Sequence, residues 1–182
     1  MTTVAIPSWN AQGAIPPINE SSPTADRSPY RVALTDLVLR FSTTAERCRI
    51  LDGLLRFRAE LHRLGLTRGF QWLDGSFLEH IEALENRPPR DVDVVTFVDV
   101  PPSFQPNSRD LLFFDHDWVK QHFLVDSYLV ELGLPPDELV ALSAYWYSLW
   151  SHRRSQLWKG YLQITLSPDE DERARAHLPL NP

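Results

Sequence analysis

The chain contains a single cysteine, Cys48. No internal disulfide can form, and the usage suits a reducing cytoplasm. Cys48 falls in a helical stretch with no paired histidine, which assigns it to packing rather than catalysis. No apolar run approaches the roughly 20 residues that span a bilayer. No secretory leader is recognisable at the start, so the expected location is cytoplasmic, without membrane contact. Basic residues are in deficit: 18 Lys and Arg against 24 Asp and Glu leave a net charge of −6. A surface that coats nucleic acid needs many cations against phosphates, and this chain lacks them. A small nucleotide held by a metal ion and a few basic groups stays open. No internal repeat is evident, and 182 residues suffice for one domain with a proper core.

What is present divides into three parts. Residues 1–30 hold Pro7, Pro16, Pro17, Pro23 and Pro29 among polar residues, without helical or alternating period. They read as an extended arm. Its apolar beads, Ile6, Trp9, Ile15, Ile18 and Tyr30, expect a surface to lie on: its own domain, or a protein partner such as a second copy. Residues 31–166 carry the periodic elements, and 167–182 read as a polar tail.

A helix is expected from Thr43 or Thr44, capped by Ser42 or Thr43 with Glu46 completing a capping box. Ile50, Leu54, Phe57, Leu61 and Leu64 form its buried stripe, and Gly65 stops it. Arg47, Arg49, Arg56, Arg58 and Arg63 are expected mostly on its exposed face. A strand follows at 69–73, a helix from Gly75-Ser76 to about Glu85, and a strand at 91–98. Asp115-His116-Asp117 reads as a helix start, where acids suit the positive dipole end, in preference to a second metal cluster. A third strand is expected at 122–130 and a long helix at 136–154, with Leu139, Leu142, Trp146, Leu149 and Trp150 on one stripe. Tyr161 to Leu166 make a last strand.

The chemistry-bearing residues lie at two of these boundaries. In a strand, residues two apart point to one face. Asp91 and Asp93 therefore stand side by side, with Val92 and Val94 turned the other way. Two such carboxylates repel unless a cation lies between them, and Mg²⁺ is the usual one where phosphates are handled. Upstream, Gly75-Ser76 closes an apolar stretch and offers backbone N–H groups and a hydroxyl to a phosphate chain. Arg153, Arg154 and Lys159 are the candidate cations for a triphosphate.

Leu73-Asp74-Gly75-Ser76 followed by Asp91-Val92-Asp93-Val94 resembles the nucleotidyltransferase superfamily typified by DNA polymerase beta and the minimal bacterial enzymes. The strings Gln71-Trp72-Leu73-Asp74-Gly75-Ser76-Phe77 and Asp91-Val92-Asp93-Val94-Val95-Thr96-Phe97, with Trp158-Lys159-Gly160, look like a bacterial family within it. The resemblance covers about residues 40–166. It implies an α/β fold, a small mixed sheet flanked by helices in a polymerase-beta-like core. It implies a Mg²⁺- or Mn²⁺-dependent enzyme that moves a nucleoside monophosphate from a nucleoside triphosphate to an acceptor hydroxyl. By resemblance Asp91, Asp93 and a third acid, Asp126, hold metal. Gly75 and Ser76 bind phosphates. Relatives modify tRNA ends, proteins, antibiotics or nucleotides, and some act in toxin–antitoxin or phage-defence systems; the acceptor here is open.

Two departures stand out. Fourteen residues separate Ser76 from Asp91, more than usual, and the extra length is the proline-stiffened loop 85–90. The helix after Gly-Ser, Phe77-Leu78-Glu79-His80-Ile81-Glu82, is more acidic than the Arg/Lys-bearing version. That acidity and the proline arm favour an alternative, a catalytically silent binding or antitoxin-like partner. A metal-dependent phosphodiesterase is a third reading, resting on His80 and His122.

Overall fold

A computed structural model describes residues 3–22 and 24–179. Pro23 of the arm and residues 180–182 of the tail lie outside the described residues. The elements run β1 (Ile18–Asn19), β2 (Asp26–Arg27), β3 (Tyr30–Arg31), α1 (Leu34–Phe41), α2 (Ala45–Arg63), β4 (Gly69–Asp74), α3 (Ile81–Glu85), β5 (Val92–Val98), α4 (His116–Phe123), β6 (Val125–Glu131), α5 (Pro136–Trp150), β7 (Leu162–Thr165) and α6 (Asp171–Ala176). The class is mixed α/β. β1 and β2 form a separate ribbon, and the other strands make a five-stranded sheet in the order β3-β7-β4-β5-β6. β4 pairs antiparallel with β5 and β7, whereas β5–β6 and β3–β7 are parallel.

α2 starts one residue later than expected: Thr44, not Ser42 or Thr43, caps it, accepting from the Arg47 N–H at 3.3 Å. Its stripe is buried through Ile50, Leu54, Phe57 and Leu61. Gly65 ends it at φ +81°, its N–H on the His62 carbonyl while Leu66 N–H reaches Leu61. The surface reading of its arginines fails at two positions. Arg47 and Arg58 are fully buried. Each guanidinium spends its fork on several acceptors, which a buried cation requires.

Arg58 takes Asp171, the Gln71 side chain and the carbonyls of Thr165 and Ser167. This overturns the polar-tail reading: residues 168–176 form a 3₁₀ turn and α6, docked on the domain with Ala174 buried. Arg47 pairs bidentately with Glu82 and takes the carbonyls of Phe77 at 2.6 Å and Glu79 at 2.7 Å. Those carbonyls are thereby withdrawn from a helical ladder. The single helix expected from Ser76 to Glu85 is instead a 3₁₀ turn over Ser76–Leu78, an extended Glu79, and the short α3.

The arm lies on its own domain. Ala14 and Ile15 are buried, the Trp9 indole donates to the Leu78 carbonyl at 2.7 Å, and Trp9 stacks on His80. Gly160 N–H donates to Ile15 and His80 N–H to Gly13.

Two boundaries move. The third strand begins at Val125, because α4 runs through Phe123 and closes on a left-handed Leu124. α5 stops at Trp150. Beyond it the chain folds back on itself, Arg153 N–H on Leu157 and Lys159 N–H on Ser151, which returns Lys159 toward the end of β4. Trp146 and Trp150 are the buried members of the α5 stripe, whereas Leu149 is exposed.

Candidate functional site

Sheet register assembles the site. Asp74 at the end of β4 stands opposite Asp93 on β5, and Asp93 stands opposite Asp126 on β6. Directly paired residues share a face, so Asp74, Asp93 and Asp126 form one row across three strands. Asp91 precedes β5 by one residue and lies two before Asp93, on the same side. Val92 and Val94 face away and are fully buried.

Lysines close the two ends of this row. Lys159, almost fully buried, pairs with Asp74 and lies 3.7 Å from Glu79. Lys120, reaching over from α4, places its ammonium 3.0 Å from Asp91 Oδ2 and 2.5 Å from Asp126 Oδ2. Partial burial works against that ammonium, but the bonds to Asp126 and Asp91 outweigh it and raise its pKa.

Asp93, in the middle, has no hydrogen-bond or ion-pair partner among the described residues. Burial first, then the charges of Asp126 and Asp91, push its carboxyl up to about 6. Burial also pushes Asp74 up to about 7, against the pull of Lys159. Asp126 Oδ1 is buried and unbonded. His116 Nε2 lies 3.3 Å from it without hydrogen-bond alignment, while His116 Nδ1 faces the Ser127 carbonyl.

Gly75 links the row to the turn above it. Its φ of +86° and ψ of −175° lie in a region open essentially to glycine alone. A Cβ there would stand 2.6 Å from Asp93 Oδ2. The backbone therefore passes directly over the central carboxylate, and Ser76 opens the 3₁₀ turn that Arg47 anchors from below. On the far side, Arg153 Nη2 lies 2.8 Å from Glu79.

These parts enclose an open cleft of about 1010 Å³. The residues expected to serve a nucleotidyltransferase line it: Asp91, Asp93, Asp126, Gly75, Ser76, Arg153, Arg154 and Lys159. The three cations differ in state. Arg154 is exposed and pairs with no acid among the described residues, Arg153 leans on Glu79, and Lys159 is tied to Asp74. Tyr128, Trp146 and Trp150 form an aromatic wall, and Arg87 and Arg90 from the proline loop reach the rim. Asp115 caps α4 through the Trp118 N–H at 2.8 Å, as its helix-start reading expects. His80 and His122 do not line the cleft; the histidines at it are His152, in its lining, and His116, beside Asp126.

Sequence reasoning passed over Asp74, Glu79 and Lys120. Asp74 stood inside the quoted Gly-Ser motif and was legible as a strand-end acid. Lys120 carried no signal, because its partners come from two other elements.

Among the described residues no group of three or more His, Cys, Asp or Glu side chains closes on a metal position. Lys120 stands where Asp91 and Asp126 would otherwise converge. A Mg²⁺ ion does not need such a cage; it commonly takes one or two carboxylates and fills its shell with water and substrate phosphates. The unbonded Asp126 Oδ1 and the unpartnered Asp93 fit that demand.

The fold and the cleft define a mixed α/β protein with a row of carboxylates at the ends of three sheet strands. Over residues 7–165 it matches a family of unknown function, DUF6932, and the chain belongs to that family. No curated protein and no solved structure matches it.

Proposed function

We propose that this protein is a metal-dependent nucleotidyltransferase with a polymerase-beta-like core, moving a nucleoside monophosphate from a nucleoside triphosphate to an acceptor hydroxyl. The observation that carries the reading is the carboxylate row, Asp93 between Asp74 and Asp126 with Asp91 beside it, and the Gly75 backbone laid over its centre. Burial and its acidic neighbours raise the Asp93 carboxyl, a cost that a purely structural site has no reason to bear.

Asp91, Asp93 and Asp126 would hold Mg²⁺ or Mn²⁺, which supplies charge neutralisation at the transferring phosphoryl group. The chain's own groups supply positioning, on which this reaction class chiefly depends. The Ser76 hydroxyl and the N–H groups of Ser76 and Phe77 would bind the phosphates, and Arg154 offers a planar fork for them. The acceptor oxygen would attack the α-phosphorus as the bond to the pyrophosphate oxygen breaks, with Asp126 orienting the acceptor hydroxyl or taking its proton.

The test is a thermal-shift screen of the full chain with each NTP and dNTP, with Mg²⁺, Mn²⁺ or EDTA. Specific binding raises the melting temperature by mass action. The expected result is a rise that needs both metal and one nucleotide and disappears in Asp93→Asn. No rise with any nucleotide refutes the reading.

One observation favours the second reading, a catalytically silent partner protein. The Lys120 ammonium already neutralises Asp91 and Asp126, so the row is partly satisfied without a metal. A nucleotide screen without response would move the search to a protein partner.

A further inference from the structure

We infer that the ammonium of Lys120 fills a cation seat between Asp91 and Asp126 that would otherwise take a divalent ion of its own. It is a positioning residue for the carboxylates, and the cleft accordingly takes a single divalent ion. The inference rests on the metal-binding part of the reading above.

Three observations converge on it. The Lys120 ammonium bridges oxygens from two different strands, at 3.0 Å and 2.5 Å, as a shared cation does. Its side chain is 41% exposed, but both of its carboxylate partners are mostly buried, at 22% and 16%. The oxygens left over are the second requirement. Lys120 takes Asp126 Oδ2 only; Oδ1 is buried and makes no hydrogen bond among the described residues, with His116 Nε2 3.3 Å away. Asp93, directly across the parallel register, has no partner either. One further seat thus remains, next to the lysine and distinct from it.

Charge at the cleft floor agrees. Asp74, Glu79, Asp91, Asp93 and Asp126 face Lys120, Lys159 and Arg153. At the floor the carboxylates outnumber the cations that touch them, a negative excess that a divalent ion offsets. Removing Lys120 enlarges that excess and frees the Asp91 and Asp126 oxygens that the ammonium holds, which favours a further cation there.

The experiment counts Mn²⁺ bound per chain without nucleotide, from the loss of the free-ion electron paramagnetic resonance signal. Wild type is compared with Lys120→Met, which keeps the stem length and removes the charge. The expected result is one Mn²⁺ for wild type and one more for Lys120→Met, the extra ion being lost again when Asp126→Asn is added. In EDTA the Lys120→Met variant should melt below wild type, and Mn²⁺ should restore it. If Lys120→Met does not fold, Lys120→Gln carries the same count.

An unchanged stoichiometry and affinity in the lysine variant overturns the inference, as does weaker Mn²⁺ binding or a count of two in wild type. Failure of the two readings is separable. A wild type that binds no Mn²⁺ beside a variant that binds one keeps Lys120 as the seated cation and removes the metal-dependent enzyme. Binding by neither overturns both.

Discussion

Replacing Asp93 by asparagine keeps the shape of the side chain and removes the central charge of the carboxylate row. The folded protein holds this carboxyl at about 6, raised from 3.8 by burial and by Asp126 and Asp91. The folded state therefore binds the Asp93 proton more tightly than the unfolded chain does. Stability from this group is fully present below the unfolded value and is lost as pH rises through about 6. A rise of roughly two units corresponds to about 3 kcal/mol at full ionisation. Asp93→Asn carries no such loss, and it also relieves Asp74, whose carboxyl is raised partly by the Asp93 charge. In EDTA the variant should exceed wild type by about 2–3 kcal/mol near pH 8, and the gap should shrink toward zero near pH 4. Urea unfolding across that range measures it, and saturating Mn²⁺ should narrow the gap by stabilising wild type alone. A variant that is less stable than wild type at pH 8, or a gap that does not change with pH, refutes the argument.

Gly75→Ala should destabilise the fold by about 1–3 kcal/mol, the cost of a non-glycine residue in that backbone region. It should also abolish any metal-dependent nucleotide shift, since the new Cβ displaces Asp93; a variant with wild-type melting and wild-type response would show that the turn does not press on the acid. Arg58→Met leaves the Gln71 and Asp171 side chains without their buried partner and should cost about 3–5 kcal/mol, read by urea denaturation. A loss under 1 kcal/mol would mean that α6 is not anchored through Arg58. Deleting residues 1–28 strips Ile15 and Trp9 from the domain and should lower the melting temperature markedly, as each large buried apolar side chain contributes about 1.5–3 kcal/mol. An unchanged melt would place the arm on a partner instead.

Much of the floor of the cleft was legible in the sequence because it is local. The period of two in Asp91-Val92-Asp93-Val94 fixes which side chains share a face, whatever the strand pairs with. Pro136 opening a helix, Asp115 capping another and Gly65 ending a third are likewise decided within a few residues. The same local rules erred where a distant group intervened. Arg47 and Arg58 are assigned to the exposed face of α2 by their charge, although by period they border its apolar stripe; both are buried, because Glu82 and Asp171 reach them from 35 and 113 residues away. Arg47 in turn breaks the helix that the Gly-Ser motif leads one to expect.

Composition and period thus determined the mixed α/β class, the paired acids on one strand and the glycine turn before them. Only the tertiary structure decided which acids meet and what neutralises them. Register between β4, β5 and β6 brought Asp74 and Asp126 to either side of Asp93. The backward fold after α5 carried Lys159 to Asp74, and the angle of α4 carried Lys120 to Asp91 and Asp126. A charge is placed by every element around it, and sequence spacing reports only on its own.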